Sequence, residues 1–259
     1  MATSLIGGML ANGYSASNIT ACDIDEEKLA GLSANFDINT TSNGLEAVEC
    51  ADIVILAVKP QAMQVACQQL AHADAKTSCL FISIAAGIRE SAINNWLGGE
   101  RAIVRCMPNT PALVQLGATA LYANIKVNTQ QKAIAQAILD AVGVTVWVEQ
   151  ESALDAVTAI SGSGPAYFFY FIELLQQAGE DLGLTRETAQ LLARQTALGA
   201  ASMAQNEDVV QLRARVTSKG GTTEQAILSF QQNGFASLLQ KATLAARDRS
   251  VELAQLLEN

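Results

Sequence analysis

The sequence predicts an N-terminal α/β domain, doubly wound and Rossmann-like, followed by an all-α C-terminal domain. In the first half, short runs of β-branched residues alternate with amphipathic stretches, which is typical of a parallel sheet covered by helices. One run, 52–58, has no polar alternation, so we expect a central parallel strand covered on both faces. After about residue 150 the strand pattern stops and helical periodicity continues to the end.

The elements of the first domain follow in order. We expect a first helix over 3–13 that ends at Gly13, where glycine suits the residue after a helix. The predicted strands are 19–22, 52–58, 78–84, 102–106, 117–122 and 144–148. The predicted helices are 25–35, 44–50, 61–72, 89–97 and 129–142. This pattern assigns residues 1–150 to a dinucleotide-binding domain.

The second domain is expected to span 151–259 and to contain helices only. Its predicted long helices cover 164–182, 185–206 and 235–257. Their Ala- and Leu-rich faces are larger than one copy of the domain can cover, so we expect a homodimer or a higher homo-oligomer. We therefore assign substrate binding and dimerisation to this domain.

Composition excludes several classes of protein. The chain has 259 residues, of which 50% are hydrophobic and 16% are charged, with a net charge of −9. No Lys/Arg-rich run is present, which disfavours nucleic acid and anionic membranes as partners. No apolar run is long enough to span a bilayer, and no signal peptide is visible. The five cysteines form no CxxC pair, so we expect buried free thiols, no metal site and a cytoplasmic protein.

The beginning of the chain departs from the usual dinucleotide-binding pattern. Such domains open with a strand and a GxGxxG/A turn, and here no strand precedes the helix over 3–13. Two interpretations compete: the chain starts at an internal methionine, or the protein is a variant that binds no cofactor. The intact pattern downstream favours the first interpretation. The missing strand would be the centre of the sheet.

Four segments carry a resemblance to a known family. They are Leu56-Ala-Val-Lys-Pro60, Arg105-Cys-Met-Pro-Asn-Thr-Pro111, Ala159-Ile-Ser-Gly-Ser-Gly-Pro-Ala-Tyr167 and Val216-Thr-Ser-Lys-Gly-Gly-Thr-Thr223. In their order and spacing they resemble pyrroline-5-carboxylate reductases, which make proline. The resemblance implies reduction of 1-pyrroline-5-carboxylate by NADPH or NADH. A protonated imine needs little acid–base help, and the single histidine, His72, is expected at the surface.

Cofactor residues are expected at strand ends. The resemblance implies that Ala57, Val58, Lys59 and Pro60 lie along the cofactor, and that Asn43 lies near the adenosine ribose, where it could equally be a helix N-cap. The strand 78–84 ends at Ile84 and is followed by the small residues Ala85 and Ala86. The backbone of these three residues could therefore lie close to a flat ring, although a plain strand-to-helix turn explains the small residues equally well. Asp23 directly follows the predicted strand 19–22, which would be the second strand of a complete dinucleotide-binding domain. A carboxylate at this position favours NADH over NADPH, because it repels a 2′-phosphate. Its alternative role is a helix N-cap, which Asp25 can fill instead.

Substrate residues are expected in the 216–223 segment. The resemblance implies that Ser218, with Gly221 and the amides of Thr222 and Thr223, holds the substrate carboxylate. The Thr223 hydroxyl would then meet the ring nitrogen as the catalytic group, and Glu151 would line the same site. The alternative for Thr222 is a capping box with Gln225, and the two roles are compatible. Lys219 and Arg215 depart from the residues usual in the family.

Two alternatives to this function remain open. One is a reductase of β-hydroxy acids or ketopantoate with the same two-domain plan. Those families depend on a helical Lys-x-x-x-Asn pattern, which neither Lys219 nor Lys241 provides. The other is a cofactor-deficient interaction protein, which only the missing glycine fingerprint supports. An upstream strand with Gly-x-Gly would favour the enzyme.

Overall fold

The computed structural model describes residues 1–73, 76 and 78–257. The chain forms two compact units. The first contains residues 1–163 together with residues 246–257, and the second is Gly164–Ala245. The domain boundary expected at residue 150 lies before this division, inside the first unit, and it stays a prediction.

The first unit contains all strands of the described residues and most of the short helices. Its strands are β1 Thr20–Cys22, β2 Asn39–Thr41, β3 Ile53–Leu56, β4 Leu80–Ser83, β5 Ala102–Met107, β6 Gly117–Ala123 and β7 Gly143–Trp147. Its helices are α1 Ala2–Ala11, α2 Glu26–Phe36, α3 Gly44–Glu49, α4 Pro60–Leu70, α5 Glu90–Trp96, α6 Thr129–Asp140 and α7 Ala153–Val157. The predicted alternation of strands and helices is confirmed.

The strands form two sheets. β1 and β2 make a parallel pair, and the other strands make a sheet in the order β3-β4-β5-β6-β7. All pairs in this larger sheet are parallel except β5 with β6, which is antiparallel. The first element is α1, which ends at Ala11 and is followed by Gly13 at φ +88, as its sequence predicts.

Alternate residues of the strands point into two hydrophobic cores on opposite faces of the larger sheet. Ile82 and Val104 belong to one core, together with residues of α1 and α6. Phe81 and Ile103 belong to the other, together with residues of α4 and α5. Because successive side chains of a strand point to opposite faces, both faces of β4 and β5 must be covered. That requirement explains why these strands have no polar alternation.

The position predicted for the 52–58 strand is wrong in one respect. Ile53 and Ile55 pack against one core, and Val54 and Leu56 belong to the other, so the predicted cover on both faces is confirmed. In the part of the chain that the structure describes, however, β3 pairs with β4 alone and is therefore an edge strand. An apolar run reports that helices cover both faces of a strand and carries no information on its hydrogen-bonding neighbours.

The second unit is helical. It contains α8 Gly164–Asp181, α9 Arg186–Ala204, α10 Val209–Arg215, α11 Thr222–Gln232 and the first part of α12, Phe235–Leu257. α8 and α9 approach closely where a Cβ added at Gly179 would lie 3.0 Å from Cβ of Ala189. The predicted long helices are confirmed, and so is the helix start expected at Thr222, whereas α10 had no separate prediction. Asp208 begins α10 by accepting the N–H groups of Val210 and Gln211.

We predict that Gly143→Ala destabilises the first unit. Gly143 has φ +152 and pairs with Gly117, and an added Cβ would lie 2.0 Å from the Gly117 carbonyl oxygen. Crowding of this kind should lower the free energy of unfolding by about 2–3 kcal/mol. The control is Gly31→Ala in α2, where an added Cβ meets nothing within 4 Å. That change should raise stability by up to about 1 kcal/mol. Equal denaturation midpoints for the two variants would contradict the prediction.

Candidate active site

Two of the predicted cofactor segments leave the larger sheet side by side. β3 and β4 are parallel, with Leu56 opposite Ser83, so both end at the same edge of the sheet, here called the carboxyl edge. The chain continues from β3 into residues 57–60 and from β4 into residues 84–87. The N–H of Ile84 donates to the Leu56 carbonyl at 3.2 Å. The structure thus brings together the residues expected to lie along the cofactor, at the edge where open α/β sheets bind ligands.

The carboxyl edge offers backbone and small side chains. Ala57, Val58 and Lys59 are exposed, and Pro60 is the first residue of α4. Ala85 is buried, while Ile84 and Ala86 are partly buried. Gly87 follows with φ +72, a conformation that favours glycine. A flat ring could therefore approach the main chain closely at residues 84–87.

A cavity of about 210 Å³ adjoins this turn within the first unit. Its walls are mostly apolar and include Ala86, Gly87, Thr158, Ser163, Arg249 and Leu253. The C-terminal part of α12 therefore forms one side of the cavity. Nothing in the sequence pointed to this role for α12.

The paired strands β1 and β2 carry the remaining cofactor candidates. Cys22 lies opposite Thr41, so Asp23 and Asn43 follow the same end of this strand pair. The Asn43 side chain accepts the N–H groups of Leu45 and Glu46 at 3.2 and 3.4 Å. The structure therefore shows Asn43 as the N-cap of α3, the alternative role that the sequence left open.

Asp23 is free of the capping role. Asp25 begins α2 and accepts the N–H of Lys28 at 3.2 Å. One Asp23 oxygen accepts the N–H of Asp25 at 3.0 Å, and the other lies 3.9 Å from Lys28 Nζ. The hydrogen bond with Asp25 and the charge of Asp23 raise the pKa of Lys28, and the hydrogen bonds from Lys28 lower the pKa of Asp25. A carboxylate with one basic neighbour, Lys28, therefore follows the end of β1.

Glu151 lies in a polar cluster at the same end of the larger sheet. Its Oε1 accepts from Arg105 Nη1 at 2.6 Å and from the N–H of Glu90 at 2.5 Å. Arg105 is on β5, opposite Ser83 of β4, and its side chain is only 7% exposed. Glu151, which was expected to bind substrate, is thus held by a strand residue and by the first residue of α5.

Neighbouring polar groups complete this cluster. The Asn124 side chain donates to Glu90 Oε1 at 2.6 Å and to the Arg101 carbonyl at 2.9 Å. Tyr122 is paired with Arg105 across β5 and β6. Partial burial, and then the charges of Glu151 and Glu90, raise the pKa of Tyr122, while Arg105 opposes the shift. The cluster is therefore dense in charge: Arg105 and Asn124 are buried, while Glu90, Tyr122 and Glu151 are partly exposed.

A second ion pair lies one helical turn further along the chain. Asp155 accepts from Arg89 at 3.0 Å through Oδ2 and from the buried Ser250 hydroxyl at 2.8 Å through Oδ1. Glu151 lies in the turn before α7, and Asp155 lies within α7. The two ion pairs fasten the segment after β7 to the carboxyl edge and to α12.

The sequence Gly162-Ser-Gly-Pro165 predicts a break between two helices, with Pro165 in the first turn of the second. The break is confirmed, because α8 begins at Gly164, and the residues before it, Thr158–Gly162, form a π-helical turn that had no prediction. The N–H of Ser163 donates to the Thr158 carbonyl at 2.8 Å, so it is not available for an anion. Asn109 holds this turn by donating to the Ser161 carbonyl at 3.0 Å. Turns of this kind are frequent at functional sites.

The loop expected to bind substrate lies in the second unit. Ser218, Thr222 and Thr223 are exposed, and Gly220 has φ +77. The N–H of Gly221 donates to the Ser218 carbonyl at 3.0 Å, and a Cβ added at Gly221 would lie 2.6 Å from Ser218 Oγ. The loop thus requires a small residue at Gly221. Two exposed hydroxyls stand on the first turn of α11, beside amides that have no partner within the helix.

The alternative capping box at this loop is wrong. Gly221, not Thr222, is the N-cap of α11, and it has no side chain that could cap. Glu224 instead accepts the N–H of Gly220 at 2.7 Å, so Gln225 has no part in the cap. Arg215, one of the two departures from the family, forms an ion pair with Glu207. Lys219 is exposed.

Reasoning from the sequence missed the groups that hold Glu151. Arg105 is one signal that was available, because a charged residue in the run Ala102-Ile-Val-Arg-Cys106 must find a partner when the strand is buried. The carboxylates of Glu151 and Asp155, at a spacing of four, were a second signal. Nothing in the sequence pointed to Ser250 or Arg89, since both act across long sequence separations.

The structure also bears on metals, thiols and membranes. Among the described residues, no group of three His, Cys, Asp or Glu side chains could hold a metal ion. All five cysteines are free; Cys22 and Cys50 are exposed, which corrects the expectation of burial for these two. Burial raises the pKa of Cys67 to about 12.

Over the described ranges, no helix has both the length and the apolarity to cross a bilayer. His72 is exposed, as predicted.

Two family models match the chain. Residues 151–253 match the model described as pyrroline-5-carboxylate reductase dimerisation. Residues 1–87 match the model described as NADP oxidoreductase, coenzyme F420-dependent. The second match begins shortly after the end of β7, and the first ends in the turn that follows β4.

Similar proteins extend over nearly the whole chain. A pyrroline-5-carboxylate reductase of Pseudomonas aeruginosa is 52% identical, covering 99% of this chain and 94% of the relative. The solved structure of such a reductase from Coxiella burnetii has a TM-score of 0.94 and 44% identity, covering 98% of this chain and 94% of that one. The Plasmodium falciparum reductase, solved with NADP bound, has a TM-score of 0.84 and 31% identity, covering 98% of this chain and 94% of that one.

Proposed function

Because this chain belongs to the pyrroline-5-carboxylate reductase family, we propose that it reduces 1-pyrroline-5-carboxylate to L-proline with NADPH or NADH. The observation that carries the proposal is the 52% identity to a reductase of this name over 99% of the chain. Membership of this family favours imine reduction over the alternatives left open by the sequence, a ketone reductase and a non-enzymatic interaction protein.

The reaction adds two electrons and two protons to a ring C=N bond. The reduced nicotinamide supplies a hydride to the imine carbon, and a proton from solvent is taken up by the ring nitrogen. The protein's task is to bind the small ring, align its carbon and keep the imine nitrogen protonated, which is largely a matter of proximity and charge. A strong acid or base is not required, in keeping with the exposed position of His72.

The first unit provides the residues for the cofactor. Residues Ala57, Val58, Lys59 and Pro60, with Ile84, Ala85 and Ala86, would hold it along the carboxyl edge. Asp23 and Asn43 would contact the adenosine ribose. The fit is supported by the side-by-side exit of the two segments from β3 and β4, and by the cavity of about 210 Å³ beside Ala86. The positively charged Lys59 is exposed and suits a pyrophosphate.

Substrate binding is assigned to the 218–223 loop and to Glu151. Ser218, Gly221 and the amides of Thr222 and Thr223 would bind the carboxylate, because the first amides of a helix are free donors with a favourable dipole. The Thr223 hydroxyl would bond the ring nitrogen, and Glu151 would favour its protonated form. The exposure of both threonines supports this assignment.

We also propose a homodimer and a cytoplasmic location. The helices α8 and α9 expose large apolar side chains, among them Phe168, Phe169, Leu191 and Leu192, at 71, 65, 67 and 51% of their surface. A second copy of the chain would cover this apolar face. The match of residues 151–253 to a dimerisation model supports the same arrangement. The free thiols suit a reducing compartment.

The direct test of the function is an assay of the purified chain. With 1-pyrroline-5-carboxylate and either reduced cofactor, the absorbance of the nicotinamide should fall, and proline should accumulate in a one-to-one ratio. Consumption of a β-keto acid or of ketopantoate, without consumption of the imine, would support the other two-domain reductases. No turnover of the imine with either cofactor would refute the proposal.

Thr223→Ala should lower turnover more than it weakens cofactor binding. Loss of a hydrogen bond to a charged nitrogen should reduce kcat/KM for the imine by roughly 10- to 100-fold. Thr223→Ser keeps the hydroxyl and should retain most of the activity. The dissociation constant of the reduced cofactor, measured by fluorescence, should be the same in both variants. Equal kinetics for the alanine variant and the wild type would remove Thr223 from the mechanism.

Asp23 should set the choice between the two cofactors. We expect the wild type to favour NADH, because a carboxylate bonds the ribose hydroxyls and repels a 2′-phosphate. Asp23→Asn should raise the ratio of kcat/KM for NADPH over NADH by about tenfold, which corresponds to about 1.4 kcal/mol. The control is Asp25→Asn, which removes a neighbouring charge but keeps the side-chain oxygen that caps α2, so it should leave the ratio unchanged. An unchanged ratio in Asp23→Asn would contradict the assignment.

A further inference from the structure

Arg105 is a charged residue in a strand that is otherwise buried. Its neighbours Val104 and Cys106 are 0 and 2% exposed, and Arg105 itself is 6% exposed. A buried guanidinium requires a partner, because an unpaired charge in the interior is very costly. Its partner is Glu151, at 2.6 Å from Nη1 to Oε1.

The geometry of this ion pair is one-sided. An arginine and a carboxylate pair most strongly through two parallel hydrogen bonds. Here Arg105 uses Nη1 alone, and its Nε is buried without a hydrogen-bond partner in the part of the chain that the structure describes. Both donors to Glu151, Arg105 and the N–H of Glu90, converge on Oε1. No described residue donates a hydrogen bond to Oε2.

The surroundings keep the carboxylate in this orientation. Glu90 begins α5, and its side chain is bonded to Asn124, so the amide that contacts Glu151 belongs to a fixed element. Arg105 is fixed by its position on β5, between β4 and β6. Glu151 therefore presents one saturated oxygen and one available oxygen. An ion pair with a purely structural role would be stronger if Arg105 bonded both oxygens of Glu151.

We propose that Arg105 is a positioning residue for the reaction. It holds Oε1 of Glu151 so that the negative charge on Oε2 favours the protonated ring nitrogen of the substrate, whose single N–H the proposed function assigns to the Thr223 hydroxyl. This inference rests on the proposed function, in which Glu151 is the group near the ring nitrogen. Arg105 itself touches neither substrate nor cofactor.

The test is a double-mutant cycle on Arg105 and Glu151. Arg105→Gln and Glu151→Gln should each lower kcat/KM for 1-pyrroline-5-carboxylate by roughly 10- to 100-fold, because each weakens the attraction between the Glu151 charge and the protonated ring nitrogen. The kcat/KM of the double variant should be no lower than that of the less active single variant, because Arg105 acts only through Glu151. Arg105→Lys keeps the charge and should lose less than Arg105→Gln. The dissociation constant of the reduced cofactor should be unchanged throughout.

The matched control is the neighbouring ion pair. Arg89→Gln and Asp155→Asn break a contact of the same kind, one turn further along the chain. Both cycles should show coupling in the free energy of unfolding. Only the Arg105–Glu151 cycle should show coupling in kcat/KM for the imine. If Arg105 had only a structural role, the two cycles would show the same coupling in kcat/KM.

The outcomes separate this inference from the proposed function. If Glu151→Gln impairs imine reduction and Arg105→Gln does not, or if their losses add, Arg105 has no positioning role while the function stands. Unimpaired reduction by Glu151→Gln overturns both the assignment of Glu151 and this inference. Absence of turnover in the wild type overturns the proposed function itself, and the inference falls with it. If Arg105→Gln does not fold, Arg105→Lys replaces it in the cycle. A loss of kcat/KM that Arg105→Lys causes in the wild type and not in the Glu151→Gln variant supports the positioning role, and an equal loss in both refutes it.

Discussion

The contact between Arg105 and Glu151 joins the sheet to the segment that follows it. Arg105 lies within β5, and Glu151 precedes α7, so the ion pair fixes the path of the chain after β7. Breaking a buried pair by removing one partner costs roughly 3–5 kcal/mol, because the other charge stays buried. The Arg89–Asp155 pair and the Ser250 hydroxyl repeat the connection one turn later. The carboxyl edge, the π-helical turn and the end of α12 are therefore held as one polar assembly within the first unit.

The sequence was sufficient for most of the fold. Elements with strong periodicity, such as α9, and strands with continuous apolar residues, such as β4, were found close to their observed bounds, because burial on two faces leaves a clear pattern. The sequence did not reveal that β3 is an edge strand or that β5 and β6 are antiparallel. Strand neighbours depend on backbone hydrogen bonds, which every residue except proline can make.

The candidate site was predictable where it depends on strand ends and on motifs. Residues 57–60 and 84–86 lie where parallel strands end, and their meeting follows from the register of β3 and β4. The partners of Glu151 were not predictable, since they come from β5 and from the start of α5. Asn43 shows a related limit: one oxygen suits both a ribose and a helix N-terminus, and only the structure shows the cap in place.

The most direct measurement is a crystal structure of the protein with L-proline bound. The ring nitrogen of proline should lie within hydrogen-bond distance of Oε2 of Glu151, while Arg105 and the amide of Glu90 remain on Oε1. A structure in which Arg105 engages both oxygens of Glu151, with the proline nitrogen bound elsewhere, would contradict this account of the site.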